Sequence, residues 1–278
     1  MSGDARHAVG MRQAILDFLH AHRRLLVITG AGISTASGIP DYRDRDGAWK
    51  RPQPMTYQAF TGSDAARRRY WARSLLGWQR FGRARPNAAH HALAALQRQG
   101  RVQALVTQNV DGLHQQAGST GVIDLHGRLD GIVCLGCGQR SARADFQQQL
   151  MAANPTWVDL PAGIAPDGDA DLDEVDFSSF QVPGCPQCCG MLKPDVVFFG
   201  ESVPRERVAA VQAHLAQCDG VLVVGSSLMV WSGFRFVKQA ADAGLPIALL
   251  NRGATRADAL ATLKCEDDIA AVLAWLPD

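Results

Sequence analysis

Two spacings of apolar residues alternate along the chain. Within residues 11–22, Ile15, Leu16 and Leu19 fall on one face at helical spacing. The next run, Leu25-Leu26-Val27-Ile28-Thr29, is continuous and β-prone, and it stops at Gly30-Ala31-Gly32. An uninterrupted apolar run reads as a strand buried on both faces of a parallel sheet. The glycine turn after it reads as the start of a helix, with Ser34 as its N-cap. The same succession recurs three times. Val102–Thr107 precedes Gln108-Asn109-Val110-Asp111-Gly112, Val221–Val224 precedes Gly225-Ser226-Ser227, and Pro246–Leu250 precedes Asn251-Arg252-Gly253. Helices are predicted over 64–81, 87–99, 205–217, 233–243 and 267–276. Strands alternating with helices, each strand closed by a Gly/Ser/Asn/Asp loop, predict an α/β fold with a doubly wound, Rossmann-like parallel sheet. Ligands of such sheets sit at the carboxyl ends of the strands, so chemistry is expected in those loops.

Between about 127 and 190 this alternation stops, Gly and Pro become frequent, and paired cysteines enter. A smaller inserted module is expected there, within a larger domain formed by 1–126 and 191–278, of which 44–86 is a partly helical segment. Cys134-x-x-Cys137 and Cys185-x-x-Cys188 are separated by 47 residues. Two such knuckles can present four thiolates tetrahedrally, a soft donor set that suits Zn²⁺ and leaves no open position for a substrate. A structural zinc on Cys134, Cys137, Cys185 and Cys188 is expected; Cys189 could replace Cys188, although the spacing favours the latter.

Composition narrows the function. Lys+Arg number 28 against 27 Asp+Glu, a net charge of +1, which is wrong for a protein whose partner is a nucleic-acid backbone. No apolar run reaches the length of a membrane span. The N-terminal residues lack the apolar core of a secretory signal, and the seven cysteines are odd in number and clustered. A cytoplasmic protein without disulfides, membrane or nucleic acid is expected; its oligomeric state is left open. Asp167-x-Asp169-x-Asp171 begins like a calcium loop, but Leu172 and Ser178 stand where Gly and Glu are required, so it reads as a solvated loop.

Gly30-Ala31-Gly32-Ile33-Ser34 after a strand suits either a pyrophosphate on the following helix or an ordinary tight turn. Thr35 stands at the third glycine of the dinucleotide pattern, which disfavours a common nicotinamide dehydrogenase. His126, between Leu125 and Gly127 near a strand end, is either a general base or a satisfied loop residue.

Together these segments resemble the sirtuins, NAD-dependent protein deacylases. Gly30-Ala31-Gly32-Ile33-Ser34-Thr35-Ala36-Ser37-Gly38-Ile39-Pro40-Asp41-Tyr42-Arg43 carries the family signature. In order follow Thr107-Gln108-Asn109-Val110-Asp111-Gly112-Leu113-His114, Leu125-His126-Gly127, the two Cys pairs, Lys193 to Glu201, and Gly225-Ser226-Ser227-Leu228. Residues 69–73, 165–169 and 226–230 resemble the class II branch. The resemblance implies a co-substrate, NAD, bound by Gly30, Ala31, Gly32, Ile33, Ser34, Thr35, Asp41, Tyr42, Arg43, Gln108, Asn109, Val110, Asp111, Gly225, Ser226, Ser227, Asn251, Arg252, Gly253 and Ile269. It implies that Asn109 and Asp111 line a nicotinamide pocket. The acyl-lysine oxygen would displace nicotinamide at the ribose, with His126 as general base on the ribose hydroxyls. The products would be nicotinamide, O-acyl-ADP-ribose and free lysine. An acyl-lysine protein or peptide would lie between Val197, Phe199, Gly200 and Glu201 on one side and Met229 and Val230 on the other. Tyr70 and Arg73, at i and i+3, either read acidic acyl chains or belong to a solvated helix face. Mono-ADP-ribosyl transfer to protein and a catalytically silent acyl-lysine or NAD sensor are the alternatives.

Overall fold

The computed structural model describes residues 3–50, 54–158, 160, 163–164, 170–172 and 175–274. In chain order the first half runs α1 (Gly3–Ala21), β1 (Leu25–Thr29), a 3₁₀ segment (Ala31–Ser37), α2 (Tyr57–Gly62), α3 (Asp64–Phe81), α4 (Ala88–Arg98), β2 (Val102–Thr107), α5 (Leu113–Gln116) and β3 (Ile123–Asp124). Then come β4 (Gly127–Cys134), β5 (Arg140–Ala142), α6 (Arg143–Ala153), β6 (Gly163–Ile164), β7 (Ala170–Asp171) and β8 (Leu192–Val196). The chain closes with α7 (Arg205–Leu215), β9 (Gly220–Val224), α8 (Trp231–Asp242), β10 (Ile247–Leu250), β11 (Leu263–Cys265) and α9 (Ile269–Leu273).

Six of the strands form one parallel sheet in the order β11-β10-β9-β1-β2-β3. All five residues of β1 and of β9 are buried, as their continuous apolar runs require. Leu25 and Val27 face the layer of α1, α4 and α9, whereas Leu26 and Ile28 face α7 and α8. Each such side chain contributes about 1.5–3 kcal/mol by leaving water. The chain winds outward from β1 through β2 to β3, then returns beside β1 as β9 and winds the other way. β1 and β9 therefore flank the topological switch point. Their register brings Thr29 level with both Thr107 and Val224, so the loops at 30, 108 and 225 emerge side by side.

A smaller antiparallel sheet, β5-β4-β8, carries the paired cysteines. Its core joins Cys134, Cys185 and Leu192 to aromatic rings of α2, α3 and α6, among them Phe60, Tyr70, Trp71 and Phe146. Arg143 is buried there because its guanidinium lies over the Trp78 ring, 5.0 Å from the centroid, and donates to the Ser74 carbonyl at 3.2 Å.

The structure departs from the sequence reading in several places, among them the edge strand β11, which no apolar run marked. The glycine turn opens a 3₁₀ segment capped by Gly30, so Ser34 is no N-cap; it lies inside that segment, 1% exposed, with its hydroxyl turned to Asp111. The first helix begins at Gly3, well before residue 11, and the last is the short Ile269–Leu273. The acidic loop through Asp167 and Asp169 lies outside the described residues. Among the described residues, no helix is long and apolar enough to cross a membrane.

Candidate functional site

Where the chain reverses direction across the sheet, a cavity of about 1070 Å³ opens between the large sheet and the smaller unit. Its floor is the contact between the 30 and 225 loops. Gly225 adopts φ +61, and a Cβ there would stand 2.4 Å from the Ile33 nitrogen. Gly32 N–H donates to the Gly225 carbonyl at 2.8 Å. Only glycines let the two backbones pack so closely, which leaves a shallow backbone cradle of the kind that receives a pyrophosphate.

One wall is polar. The Asn109 amide donates to the Gly30 carbonyl and to Ser34 Oγ, both at 3.1 Å. Ser34 Oγ donates in turn to Asp111 Oδ2 at 2.7 Å, and Leu113 N–H donates to Asp111 Oδ1 at 2.9 Å. Burial pushes the Asp111 carboxyl up, against these hydrogen bonds, which favour its ionised form. The result is a preorganised acceptor pair in a dry corner. Gln108 Nε2 donates to Ser226 Oγ at 2.7 Å and ties the 108 and 225 loops together.

His126 stands at the centre. Its Nδ1 is 3.0 Å from the Gln108 carbonyl, which can only accept, so Nδ1 carries the proton. Nε2 is therefore the lone-pair nitrogen, and Ser232 Oγ lies 2.7 Å from it. Burial lowers the imidazole pKa to about 4, helped by Arg207 and Arg235 and opposed by the Gln108 bond. The ring is neutral at pH 7, which is the protonation state a base requires.

The opposite wall is a strap from 197 to 201. Val197 N–H donates to the His126 carbonyl at 2.7 Å, and Phe199 accepts from Tyr57 N–H at 2.9 Å. Beneath it, Lys193, 3% exposed, lies 3.1 Å from Glu201 and over the Phe198 ring. Glu201 also accepts from Phe198 N–H at 2.9 Å. The facing edge is Leu228–Val230, where Met229 holds Arg256 through its carbonyl at 3.3 Å.

Nearly all the residues singled out from sequence line this one cavity. They are Gly30 to Thr35, Asp41, Tyr42, Arg43, Gln108 to Asp111, His126, Val197, Phe199 to Glu201, Gly225 to Ser227, Met229, Val230, Asn251, Arg252, Ile269 and Tyr70. Of those assigned to NAD or the acyl-lysine substrate, two are placed elsewhere. Gly253 turns against the backbone of Arg45 at φ +85, beside the rim. Arg73, half-buried, is not among the lining residues, so of the Tyr70/Arg73 pair only Tyr70 reaches the cavity. Sequence reasoning gave no individual role to Ser232, Lys193 or Asn87, which lie in or beside segments it marked. The Asn87 amide holds the 3₁₀ segment by donating to the Ile33 carbonyl at 2.8 Å. Its place before α4 signals a cap, but nothing in sequence signals the contact to residue 33.

In the smaller unit the Sγ atoms of Cys134, Cys137, Cys185 and Cys188 lie within 4.8 Å of one another. The Cys134–Cys188 pair is at 3.5 Å and the Cys137–Cys185 pair at 3.7 Å. Bonds of about 2.3 Å to a tetrahedral zinc give edges of about 3.8 Å, so the set fits that ion. Cys189 sits at φ 56 and donates its N–H to Cys185 O, completing the knuckle turn; Cys188 is the fourth member of the cluster.

Comparison with known proteins bears on this geometry. An NAD-dependent protein deacetylase of Xanthomonas campestris pv. campestris (strain 8004) is 65% identical over 263 residues, covering 95% of this chain and 90% of that one. The NAD-dependent protein deacetylase 2 of Bradyrhizobium diazoefficiens is 61% identical over 264 residues, 95% of this chain and 97% of its own. A solved Sir2 structure with a p53 peptide and NAD⁺ superposes with a TM-score of 0.74 at 30% identity, covering 94% of each chain. Residues 30–232, from the glycine cradle to the serine beside His126, match the Sir2 family, and the chain belongs to that family.

Proposed function

We propose that this protein is an NAD-dependent protein-lysine deacylase that yields nicotinamide, O-acyl-ADP-ribose and free lysine. The observation that carries the reading is His126, a neutral imidazole with its lone pair on Nε2 and its other nitrogen locked by a carbonyl. Such a ring can accept a proton from a sugar hydroxyl without first having to lose one.

The residues that would hold NAD fit it by their chemistry. The 30–35 backbone and Arg43 suit the pyrophosphate. Asn251, Arg252 and Ile269 suit the adenosine side, with Gly253 shaping the turn beneath. Gln108, Asn109 and Val110 suit the nicotinamide side. Asp111 keeps two hydrogen-bonded carboxylate oxygens from which a carboxamide can be fixed. Bound NAD supplies a ribosyl carbon with a good leaving group. The protein's part is then to exclude water, orient the acyl amide and accept a proton at Nε2. Val197, Phe199, Gly200 and Glu201 face Met229 and Val230 across a gap suited to an extended acyl-lysine peptide added as a strand.

The same reading makes the zinc structural, because four thiolates leave no open position. It divides the chain into 1–126 with 191–278 and the metal module 127–190, with β8 extending the module's sheet through its pairing with β4. It assigns the protein to the cytoplasm, whose reducing conditions suit free thiols such as Cys218 and Cys265.

Mass spectrometry of products from NAD and a panel of acyl-lysine peptides tests the reading. Equal amounts of nicotinamide, O-acyl-ADP-ribose and free lysine are expected. Adenine label retained on protein would assign ADP-ribosyl transfer instead, and no nicotinamide with any peptide would leave a silent module.

A further inference from the structure

One hydrogen bond at the centre of the crevice has no part in the reaction as written. Ser232 Oγ lies 2.7 Å from His126 Nε2, across 106 residues of sequence. Because Nδ1 donates to Gln108, Nε2 has only a lone pair to offer, and the hydroxyl must be the donor. Ser232 occupies the first turn of α8 and is 8% exposed, yet its hydroxyl caps nothing; the N-cap is Val230, with no side-chain cap. The next residue, Gly233, is shaped to the same task. A Cβ there would stand 2.6 Å from Gln108 Oε1, so glycine lets α8 close on the residue whose carbonyl fixes Nδ1. Ser232 thus meets one ring nitrogen, and Gly233 leaves room for the side chain of the residue whose carbonyl meets the other.

We propose that Ser232 is a positioning residue for the base: its hydroxyl holds Nε2 of His126 aimed into the crevice and surrenders that lone pair to the ribose hydroxyl when the substrates bind. This rests on His126 acting as the base. A lone pair accepts one strong hydrogen bond, so the serine donor and the sugar donor cannot share it. The hydroxyl of Ser232 turns away as the sugar arrives, and the O–H bond that breaks is the sugar's, its proton passing to Nε2. In the resting site the serine donates to the neutral ring, and on protonation its hydroxyl turns to accept from Nε2–H, a charge-assisted and stronger bond. The charged groups facing the imidazole, Arg207 from α7 and Arg235 one turn beyond Ser232 on α8, act in the opposite direction and disfavour the imidazolium. Removing the serine hydroxyl therefore makes the ring harder to protonate.

The test reads the ring directly. In the intact protein, ¹⁵N spectra of the histidines, with His126 assigned by its loss in His126→Gln, follow its titration in wild type, Ser232→Ala and Ser232→Thr. Ser232→Ala is expected to titrate at lower pH, and Ser232→Thr, which keeps the hydroxyl, near wild type. With NAD and an acetyl-lysine peptide, deacylation by Ser232→Ala is expected to fall about tenfold in kcat with little change in KM for NAD, the scale of one positioning hydrogen bond. The acid limb of its kcat/KM profile, which reports the free enzyme, should move to lower pH. Nicotinamide exchange, which precedes the base step, should fall far less. An unshifted titration or wild-type deacylation by Ser232→Ala overturns the proposal. If wild type turns over and His126→Gln does too, the base assignment itself has failed, which is a separate outcome.

Discussion

Three histidines of this chain feel the same physical force and end in different uses. His90 and His114 are 0% and 1% exposed with ring centroids 4.9 Å apart, and burial lowers their pKa values to about 4 and about 3. His114 is tied to Thr29 Oγ1 at 2.9 Å, and Asn87 N–H donates to His90 Nδ1 at 3.3 Å. They are held neutral beneath the site, whereas His126 reaches the crevice with a usable lone pair. Replacing it with Ala is expected to leave NAD affinity, read by calorimetry, within about twofold and to lower deacylation by about 10²–10⁴. For His90 and His114 the linkage works through the unfolded chain. Below about pH 6.5 the unfolded chain takes up protons that the folded protein refuses, down to about pH 4. Stability should fall by about 1.4 kcal/mol per pH unit for each ring in that window. The carboxyls of Asp111 and Asp124, raised by burial, act in the opposite sense once pH reaches them. Urea unfolding at pH 7, 6 and 5 should show the slope, and it should flatten when His90 or His114 is replaced by an apolar residue.

Among elements, the strands that feed the site were the most legible. β1 and β2 span the residues that their apolar runs marked, because a strand buried on both faces must be apolar throughout. The segments between strands were less so. The 3₁₀ segment carries the polar spacing of a helix start, but Gly225 packs against Gly32 and Ile33 and sets its path. Gly225→Ala adds a Cβ to a left-handed residue already in van der Waals contact. It should abolish NAD binding or soluble folding, as thermal shift with and without NAD would register. The 197–201 strap depends on Lys193, whose Nζ reaches the Pro194 carbonyl at 3.2 Å and Glu201 at 3.1 Å. Lys193→Met leaves Glu201 unpaired in a partly buried setting and should cost about 2 kcal/mol of stability. KM for the acyl peptide should rise more than KM for NAD, because the strap and not the glycine cradle loses its support.

At the scale of the molecule, the thiolate cluster and the strap side of the crevice share a core. Cys134 and Cys185 belong to the same hydrophobic cluster as Tyr70 and Phe198, while the glycine cradle rests on the large sheet. Removing zinc with a chelator, or replacing Cys137 with Ser, is therefore expected to lower the melting temperature and weaken acyl-peptide binding before NAD binding. Metal content near one zinc per chain in untreated protein, with both ligands titrated after chelation, checks this. Equal loss of the two affinities would mean that the sheets are more tightly coupled than their separate cores suggest.

Continuous apolar runs marked four of the six strands of the parallel sheet, paired cysteine spacing marked the thiolate cluster, and loops at strand ends marked the crevice. All of these are local in sequence, and each follows from what one short segment must bury or ligate. The family resemblance added roles for Asn109, Asp111 and His126 that spacing does not carry. Only the tertiary structure decided which nitrogen of His126 carries the lone pair, because that depends on Gln108 and Ser232, 18 and 106 residues away. It likewise turned Ser34 from a helix cap into the donor on Asp111, brought Tyr70 to the cavity without Arg73, and chose Cys188 over Cys189. Contacts between distant segments are set by strand register and backbone approach, and a single stretch of sequence does not encode its partner's position.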